Sequence, residues 1–402
     1  MKLFIRENTM TKRTKKSEYT DLDKELDIEA FRDSIIDFFG TVPDPRSQNN
    51  LTYKLEHIFF IILSAILAGA NSINKIALFS KAKKKWITNF IPLEKTPSYG
   101  IFWWTLVRIK PDLMRQLLEE WFENVPGELK NQILAIDGKR LCGTQSDDPL
   151  KHFVHLVSLF SVDSGLILKQ QPVDNKSNEI TAIPVLFEGI NIEGAVITSD
   201  AMGCQKDIAE QICEKGADYV LALKGNTGLI YDEVLNYFQQ AEQVNYEGVD
   251  CTVYEEKDTG HGRIVSRLVR CVQDLKWLPQ AGEWKNLKSL IEVVSTRTEK
   301  GKTSIEQRYY ITSLNDVAQR LAKIIRCHWG IENNLHRQLD VNFLEDDSSV
   351  NTGYAAENLA TFRRMALNIL GSGKGLSDRR QRAAWDEDYL SSLVRSFFIK
   401  SF

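Results

Sequence analysis

Three acidic residues that lie far apart in the chain, Asp137, Asp200 and Glu332, have the types and settings for metal-dependent chemistry. Asp137 follows the apolar run ILAI and Asp200 ends the run in GAVITSDAM; both runs are typical of short buried strands. Glu332 lies in HWGIENNLH, a stretch with helical periodicity. Carboxylates that meet from two strands and one helix can hold hard divalent cations through oxygen, as phosphoryl-transfer enzymes require. Cutting and joining of nucleic acid is therefore the leading hypothesis.

The helical stretch around Glu332 predicts how this third acid reaches the other two. His328, Glu332 and His336 follow one another at intervals of four residues, so they form one row beside a buried apolar stripe. We therefore expect Glu332 at the edge of the core, within reach of a metal bound by Asp137 and Asp200. Mg²⁺ suits three carboxylates because it prefers oxygen ligands, and we expect two such ions, with Mn²⁺ as a substitute. A zinc site that uses the imidazoles is the weaker alternative, because the row contains no cysteine.

Each acid also has an ordinary structural interpretation. Asp137 stands before Gly138, and an Asp-Gly pair is common in turns. Asp200 could cap the following helix, and Glu332 could be a solvated helix residue. Taken one at a time, these interpretations are the more common ones. The order of the predicted elements supplies the argument for a shared site.

Composition places the chain among soluble proteins. Its 402 residues are 43% hydrophobic and 26% charged, enough for one large catalytic domain and a smaller one. The six cysteines show no paired short spacing, so we expect neither a zinc knuckle nor disulfides, as fits a reducing cytoplasm. The longest apolar stretch, residues 58–70, is shorter than the roughly 20 residues of a membrane-spanning helix, so we expect a buried helix and no membrane contact.

The pattern along the chain divides it into four parts. Residues 1–30 are polar and charged and predict a flexible arm, whereas residues 31–126 have helical periodicity and predict an all-helical N-terminal domain. Residues 127–370 predict an α/β catalytic domain with a β-rich insertion at about 246–314, and residues 371–402 predict a C-terminal tail. Three early strands followed by alternating helices and strands predict a mixed sheet of the ribonuclease-H-like type.

Candidate DNA contacts are basic or imidazole side chains near the predicted site. The net charge of −3 means that any affinity for DNA must come from local basic patches. Four residues flank predicted strand ends, where a phosphate backbone would pass: Lys139, Arg140, Lys176 and Lys224. The other candidates for DNA contact are Arg263, Arg326, His328 and His336.

A series of motifs resembles one family, the H-repeat-associated insertion-sequence transposases of the DDE, ribonuclease-H-like superfamily. In chain order the motifs are PDPRSQNNLTYKL, AIDGKRL, KSNEITAIP, ITSDAMGCQKDIAEQI, GADYVLALKGN, HGR, RYYITSL, HWGIENNLH with LDVNFLED, and AAENLATFRRMALNIL. They span residues 43–370, which is most of the chain.

This resemblance implies a function and a site. Asp137, Asp200 and Glu332 would be the metal-binding triad, the β-rich insertion would be the one common in such enzymes, and the N-terminal helical region would help to recognise the element's ends. Such enzymes hydrolyse a strand at the transposon end and use the freed 3′-hydroxyl to attack target DNA. The implied partners are terminal inverted repeats, target DNA and a second or further copy of the chain, acting in the cytoplasm at the nucleoid.

Two alternatives stay open. Ser349 and Asn351 stand where relatives carry arginines, and Cys142 replaces another arginine. Loss of guanidinium groups removes bidentate phosphate contacts, so a decayed or domesticated DNA-binding protein without transposition activity is one alternative. A nuclease that hydrolyses nucleic acid but cannot join ends is the other.

Overall fold

The computed structural model describes residues 28–46, 51–123, 128–144, 153–173, 179–260 and 262–399. The helices are α1 (Ile28–Phe39), α2 (Leu55–Leu67), α3 (Ile73–Ala82), α4 (Lys84–Ile87), α5 (Tyr99–Arg108), α6 (Pro111–Glu123), α7 (Glu179–Leu186), α8 (Lys206–Glu214), α9 (Leu229–Gln243), α10 (Ala318–Ile331), α11 (Arg337–Phe343), α12 (Ala355–Leu370), α13 (Leu376–Trp385) and α14 (Glu387–Ile399). The strands are β1 (Ile133–Arg140), β2 (His155–Ser161), β3 (Leu166–Pro172), β4 (Val196–Ser199), β5 (Asp218–Leu223), β6 (Cys251–Gly260), β7 (Arg263–Val272), β8 (Ser289–Glu299) and β9 (Lys302–Thr312). The expected mixed α/β class is confirmed.

All nine of these strands belong to one sheet, in the order β3-β2-β1-β4-β5-β9-β8-β7-β6. β1, β4 and β5 run parallel to one another, whereas β2 and β3 form an antiparallel hairpin with β1 on one side. β9 joins the edge of β5 in the antiparallel sense, and β8, β7 and β6 follow it. The strands expected as a β-rich insertion therefore extend the same sheet.

Side chains alternate between the two faces of β1, and this alternation decides where the acid at position 137 points. Leu134 and Ile136 are buried in the core that the sheet forms with α7, α8 and α9. Ile133 lies on the opposite face, in a core shared with α10. Because Asp137 is an even number of residues from Ile133, its side chain projects toward the α10 face.

The helices before β1 and those at the end of the chain share one core. Phe31 of α1 lies edge-on to Phe398 of α14, and Phe38 does the same with Phe397. Residues 371–402, expected as a tail, thus contain α13 and α14, and α14 packs on α1. Residues 1–27 of the expected N-terminal arm lie outside the described residues.

The apolar stretch at residues 58–70 forms most of α2. This helix is apolar around its whole circumference, and nearly all of its residues are buried. Such a helix belongs in the middle of a core, as the sequence predicted. Among the described residues, no helix is both long and apolar enough to cross a bilayer.

The helix that carries Glu332 is not regular throughout. α10 passes into one π-helical turn, Glu332–His336, and then into α11. Leu344 ends α11 in the left-handed conformation, at a φ of 49°. π-helical turns inside α-helices are rare and are frequent at functional sites. This turn contains the third acid of the predicted triad.

Candidate active site

The sheet register brings two of the three predicted acids side by side. β1 and β4 pair in parallel with Ile136 opposite Ser199, so Asp137 and Asp200 stand at the next step of neighbouring strands. Val196 belongs to the core shared with α10, so the alternation along β4 directs Thr198 to that same face. Asp137 therefore faces the helix that carries Glu332, and Asp200 directly follows the end of the neighbouring strand.

His336 lies between the aspartate of β1 and the glutamate of the π-helical turn. Its Nδ1 is 3.5 Å from Oδ2 of Asp137 and 3.6 Å from Oε2 of Glu332. The ligand atoms of Asp137, Glu332 and His336 all lie within 4.8 Å of one another. The side chain of His336 is 7% exposed, whereas that of Glu332 is 53% exposed. The group thus has a buried imidazole at its base and a carboxylate open to solvent.

Asp200 adjoins this group but is held by its own turn. Its Oδ1 accepts a hydrogen bond from the backbone N–H of Met202 at 2.9 Å and a longer one from that of Gly203 at 3.4 Å. This is a turn-stabilising role close to the ordinary interpretation given above, although α8 begins only at Lys206. Oδ1 of Asp200 is thus held by the turn. Burial raises the pKa of Asp137, and the Asp200 carboxylate is close enough to that residue to add to the rise.

The site is short of positive charge. Burial and the facing carboxylate of Glu332 raise the pKa of Asp137 to about 8. The hydrogen-bonded imidazole of His336 lowers the pKa of Glu332. Burial also raises the pKa of Asp200, with a further rise from the charge of Glu179. Carboxylates crowded in a partly buried site hold a proton that a cation can replace.

The donor set fits a divalent cation. Asp137 and Glu332 offer carboxylate oxygens and His336 offers one nitrogen. The carboxylate of Asp200 lies close enough to Asp137 to add to the rise in pKa that burial causes there, but it is not part of this compact group. Oxygen-rich sets suit Mg²⁺ and Mn²⁺, and a single imidazole is compatible with Mn²⁺ as well. The structure groups Asp137 and Glu332 with His336, and the role of Asp200 in a shared site stays a prediction.

The basic residues on β1 and after β5 have different surroundings. The ammonium group of Lys139 is buried and forms ion pairs with Asp340 and Asp346. Arg140 is exposed, with its guanidinium 6.0 Å from the ring centre of Phe153. Lys224 is exposed directly after β5; burial raises the pKa of Asp200 and the charge of Lys224 opposes that rise. Lys176 lies outside the described residues.

The other candidate contacts are spread along the insertion strands and α10. Arg263 is exposed at the tip of the β6–β7 pair, opposite Gly260. Arg326 lies on the exposed side of α10 and forms ion pairs with acidic residues of β6. His328 is partly buried, its Nδ1 is 3.0 Å from the hydroxyl of Thr198, and burial lowers its pKa to about 4. These three residues do not join the compact group around His336.

Sequence reasoning missed one acidic residue near the site, Glu179 of α7. Its Oε1 is 2.9 Å from Nε2 of His155 on β2. Gly138, which lies inside β1 and not in a turn, leaves room for this pair, because a Cβ there would be 2.4 Å from Oε1 of Glu179. The motif KSNEITAIP contains Glu179 and was the only signal for it in the sequence.

Comparison with known proteins agrees with the geometry. Residues 128–369 match the model of the transposase DDE domain, and residues 36–122 match the DDE_Tnp_1-associated model. The Escherichia coli O157:H7 protein named "Putative transposase YncI" is 34% identical over 90% of this chain and 95% of its own length. The "H repeat-associated putative transposase YhhI" of Escherichia coli K12 is 33% identical over 90% of this chain and 97% of its own length.

One solved structure shows a distant likeness. It is the piggyBac transposase synaptic complex with hairpin DNA, at a TM-score of 0.43 and 12% identity over 92% of this chain and 79% of that chain. This likeness is too remote to carry an argument. The domain match spans more than half of the chain and includes both strands and the helix that bring the acids together. The chain therefore belongs to the DDE transposase-domain family of insertion sequences, with the H repeat-associated proteins among its relatives.

Proposed function

We propose that this protein binds the terminal inverted repeats of its insertion sequence, cleaves a DNA strand there with divalent cations, and joins the freed 3′-hydroxyl to target DNA. The observation that carries the proposal is the convergence of Asp137 and Glu332 around His336, with Asp200 at the next register step. Family membership supports the reaction class.

The ribonuclease-H-like core is part of this proposal. Its support is the strand order β3-β2-β1-β4-β5, in which three antiparallel strands precede two parallel ones that helices connect. The acids occupy β1, the end of β4, and a helix that packs on the same face. Residues 127–370, which include β6–β9, would form this catalytic domain, and the helices of residues 31–126 would help to recognise the DNA ends.

The residues of the site have distinct parts in the proposed chemistry. Asp137, Asp200 and Glu332 would hold two Mg²⁺ ions, with Mn²⁺ as a substitute. Bound ions of this kind activate an attacking water or 3′-hydroxyl and stabilise negative charge on the leaving oxygen. Asp137 must lose its proton before it can hold an ion, because burial and Glu332 keep its pKa at about 8. The exposed position of Glu332 leaves one side of the site open to DNA.

The proposed DNA path follows three exposed cationic side chains. Arg140 is the last residue of β1, Lys224 follows β5 and interacts electrostatically with Asp200, and Arg263 lies at the tip of a long hairpin. Each can pair with a phosphate through charge-assisted hydrogen bonds. Pairing of two transposon ends would require at least two copies of the chain, so we include a dimer or larger assembly on DNA, at the nucleoid, in the proposal.

The experiment uses duplexes that carry the DNA flanking the coding region, incubated with the full-length protein and Mg²⁺ or Mn²⁺. We expect nicked and joined products that disappear in Asp137→Ala. The control is Asp232→Ala, because Asp232 is exposed on α9, which packs on the opposite face of the sheet. Products from Asp137→Ala equal to those of the wild type would refute the site. Specific binding without cleavage would support the domesticated DNA-binding protein, and cleavage without joining would support the nuclease.

A further inference from the structure

Lys139 is a buried lysine on the strand of the first catalytic aspartate. It follows Asp137 by two residues on β1, so both side chains project from the same face. The Lys139 side chain is only 7% exposed, and Nζ lies 2.6 Å from Oδ1 of Asp340 and 3.2 Å from Oδ1 of Asp346. A buried ammonium between two carboxylates is not available to a phosphate backbone, which was the role expected from the sequence.

Its two partners belong to the helix of Glu332 and to the segment that follows. Asp340 lies on α11, which continues from the π-helical turn that contains Glu332 and His336. β1 and this helix therefore face each other at two neighbouring levels. At one level Asp137 meets His336, and at the next Lys139 meets Asp340.

Asp346, the second partner of Lys139, is held in place by contacts of its own side chain and of the neighbouring residues. Oδ1 of Asp346 also accepts a hydrogen bond from the backbone N–H of Cys142, at 3.4 Å. The residue before it, Glu345, is fully buried and forms an ion pair with Arg364 of α12 at 3.0 Å. A Cβ on Gly143 would lie 2.8 Å from the backbone oxygen of Asp346, so the two segments are in close contact. The acids that follow α11 thus connect the catalytic strand to the helical core.

We propose that Lys139 is a positioning residue: through Asp340 and Asp346 it holds the helix of Glu332 against the strand of Asp137 and so sets the distance between the two cation-binding carboxylates. This inference rests on the proposed function, because it concerns the geometry of the cation site. Partners that orient metal ligands typically affect metal affinity by about 10- to 100-fold when they are removed.

The direction in which cation affinity changes when Lys139 is substituted distinguishes a positioning role from a purely electrostatic one. Substitution of Lys139 by a neutral residue removes one positive charge and leaves two aspartates near the site. Coulombic attraction alone would then make divalent cations bind more tightly. Loss of alignment between β1 and the helix would make them bind more weakly. A DNA contact, by contrast, would leave cation affinity in the absence of DNA unchanged.

The test is titration of the full-length protein with Mn²⁺ in the absence of DNA, followed by calorimetry or by the electron paramagnetic resonance of free Mn²⁺. We expect Lys139→Met to weaken Mn²⁺ binding about tenfold or more. The matched control is Lys169→Met. Lys169 is also a buried lysine of the same sheet, but it lies on the distant strand β3, where Nζ is 3.2 Å from a carboxylate oxygen of Glu119. We expect this control to bind Mn²⁺ as the wild type does, and Lys139→Arg, which keeps the charge, to recover part of the affinity.

A second measurement uses DNA in Ca²⁺ buffer at several salt concentrations. If Lys139 is a positioning residue, Lys139→Met binds DNA with the affinity of the wild type and with the same dependence on salt concentration. Loss of affinity with a salt slope smaller by about one, together with unchanged Mn²⁺ binding, would overturn the inference in favour of a phosphate contact. Tighter Mn²⁺ binding would overturn it in favour of electrostatics.

Two further outcomes are informative. If Lys139→Met does not unfold cooperatively, Lys139→Gln takes its place, because the amide keeps a polar contact with the aspartates and the same directions apply. If the wild type does not bind Mn²⁺, the proposed function fails and the inference fails with it. If the wild type binds Mn²⁺ and both Lys139 variants bind it equally well, only the positioning role is refuted.

Discussion

The hydroxyl of Thr198 and Nδ1 of His328 lie 3.0 Å apart and join β4 to α10. Thr198 precedes Asp200 by two residues, and His328 precedes Glu332 by one helical turn. Burial lowers the pKa of His328 to about 4, so the imidazole is neutral at physiological pH. A neutral hydrogen bond therefore connects the strand that precedes Asp200 to the helix that carries Glu332.

Removal of this hydroxyl should destabilise the protein. In Thr198→Val the side chain keeps its shape, but Nδ1 of His328 loses its partner in a partly buried position. We expect a loss of about 1–3 kcal/mol in the free energy of unfolding, measured with urea. Thr198→Ser is the control, because it keeps the hydroxyl and loses only a methyl group. Equal losses in the two variants would show that packing, not the hydrogen bond, matters at this position.

The raised pKa of Asp137 predicts that the metal-free protein becomes less stable as the pH rises. The folded chain keeps a proton on Asp137 up to about pH 8, whereas the unfolded chain loses it near its ordinary value of 3.8. Between these values the folded state binds more protons, so its stability falls with increasing pH, by up to about 1.4 kcal/mol per pH unit for this group.

Asp137→Asn should remove this dependence. In the presence of a chelator we expect the variant to melt at a higher temperature than the wild type at about pH 9, and at nearly the same temperature at about pH 4. Saturating Mn²⁺ should reverse the order at high pH, because only the wild type gains stability from a well-bound ion. A difference that does not change with pH would contradict the assignment of the proton to Asp137.

The elements that carry the three acids could be found from the sequence because the acids lie at the ends of regular patterns. Apolar runs identified β1 and β4, and a helical row identified the segment of Glu332. The parallel register of the two strands then places Asp137 beside Asp200. The β-rich segment was also identified, although its strands continue the main sheet.

Other features depend on contacts between distant parts of the chain, which periodicity does not report. From the sequence alone, Lys139 fits a DNA contact as well as it fits a buried ion pair. Only its contacts with Asp340 and Asp346, two distant residues, distinguish these roles. Asp137 and Gly138 lie inside a strand and not in the turn that an Asp-Gly pair suggests. Position 138 is a glycine because Glu179 approaches it closely. The π-helical turn has no signature in the pattern of apolar residues, because it changes the spacing by a single residue.

The approach of Glu179 to Gly138 predicts the effect of a small substitution. In Gly138→Ala the new methyl group would lie 2.4 Å from Oε1 of Glu179 and 2.6 Å from Nε2 of His155, so these two side chains must move. We expect a loss of stability of about 1–3 kcal/mol. We also expect weaker Mn²⁺ binding. Burial is the main cause of the raised pKa of Asp200 and the charge of Glu179 is a further one, so movement of Glu179 changes the electrostatic potential at the Asp200 carboxylate.

Gly260→Ala is the matched control for that substitution. Gly260 also lies in a strand, β6, and a Cβ there would meet no atom of the described residues within 4 Å. We expect this variant to unfold and to bind Mn²⁺ as the wild type does. A similar loss in both variants would indicate that the cost lies in the strand backbone of the folded chain and not in the contact with Glu179, because the effect of Ala on the unfolded chain is stabilising.

The position of His336 predicts a nitrogen ligand in the cation site. Its Nδ1 faces both Asp137 and Glu332 at about the same distance, 3.5 and 3.6 Å, so an ion held between the carboxylates would meet this nitrogen. We expect electron spin echo measurements on the Mn²⁺-bound protein to show modulation from one ¹⁴N nucleus. This modulation should be absent in His336→Gln, whose amide oxygen can replace the nitrogen as a ligand.

The same substitution should change the preference between cations. Imidazole favours Mn²⁺ over Mg²⁺ more than an oxygen ligand does, so His336→Gln should weaken Mn²⁺ binding by about tenfold and Mg²⁺ binding much less. His328→Gln is the control, because that imidazole is held by Thr198 and lies outside the compact group. If ¹⁴N modulation persists in His336→Gln but is lost in His328→Gln, the nitrogen ligand is His328. The ion would then lie closer to β4 and Asp200 than the group around His336 indicates.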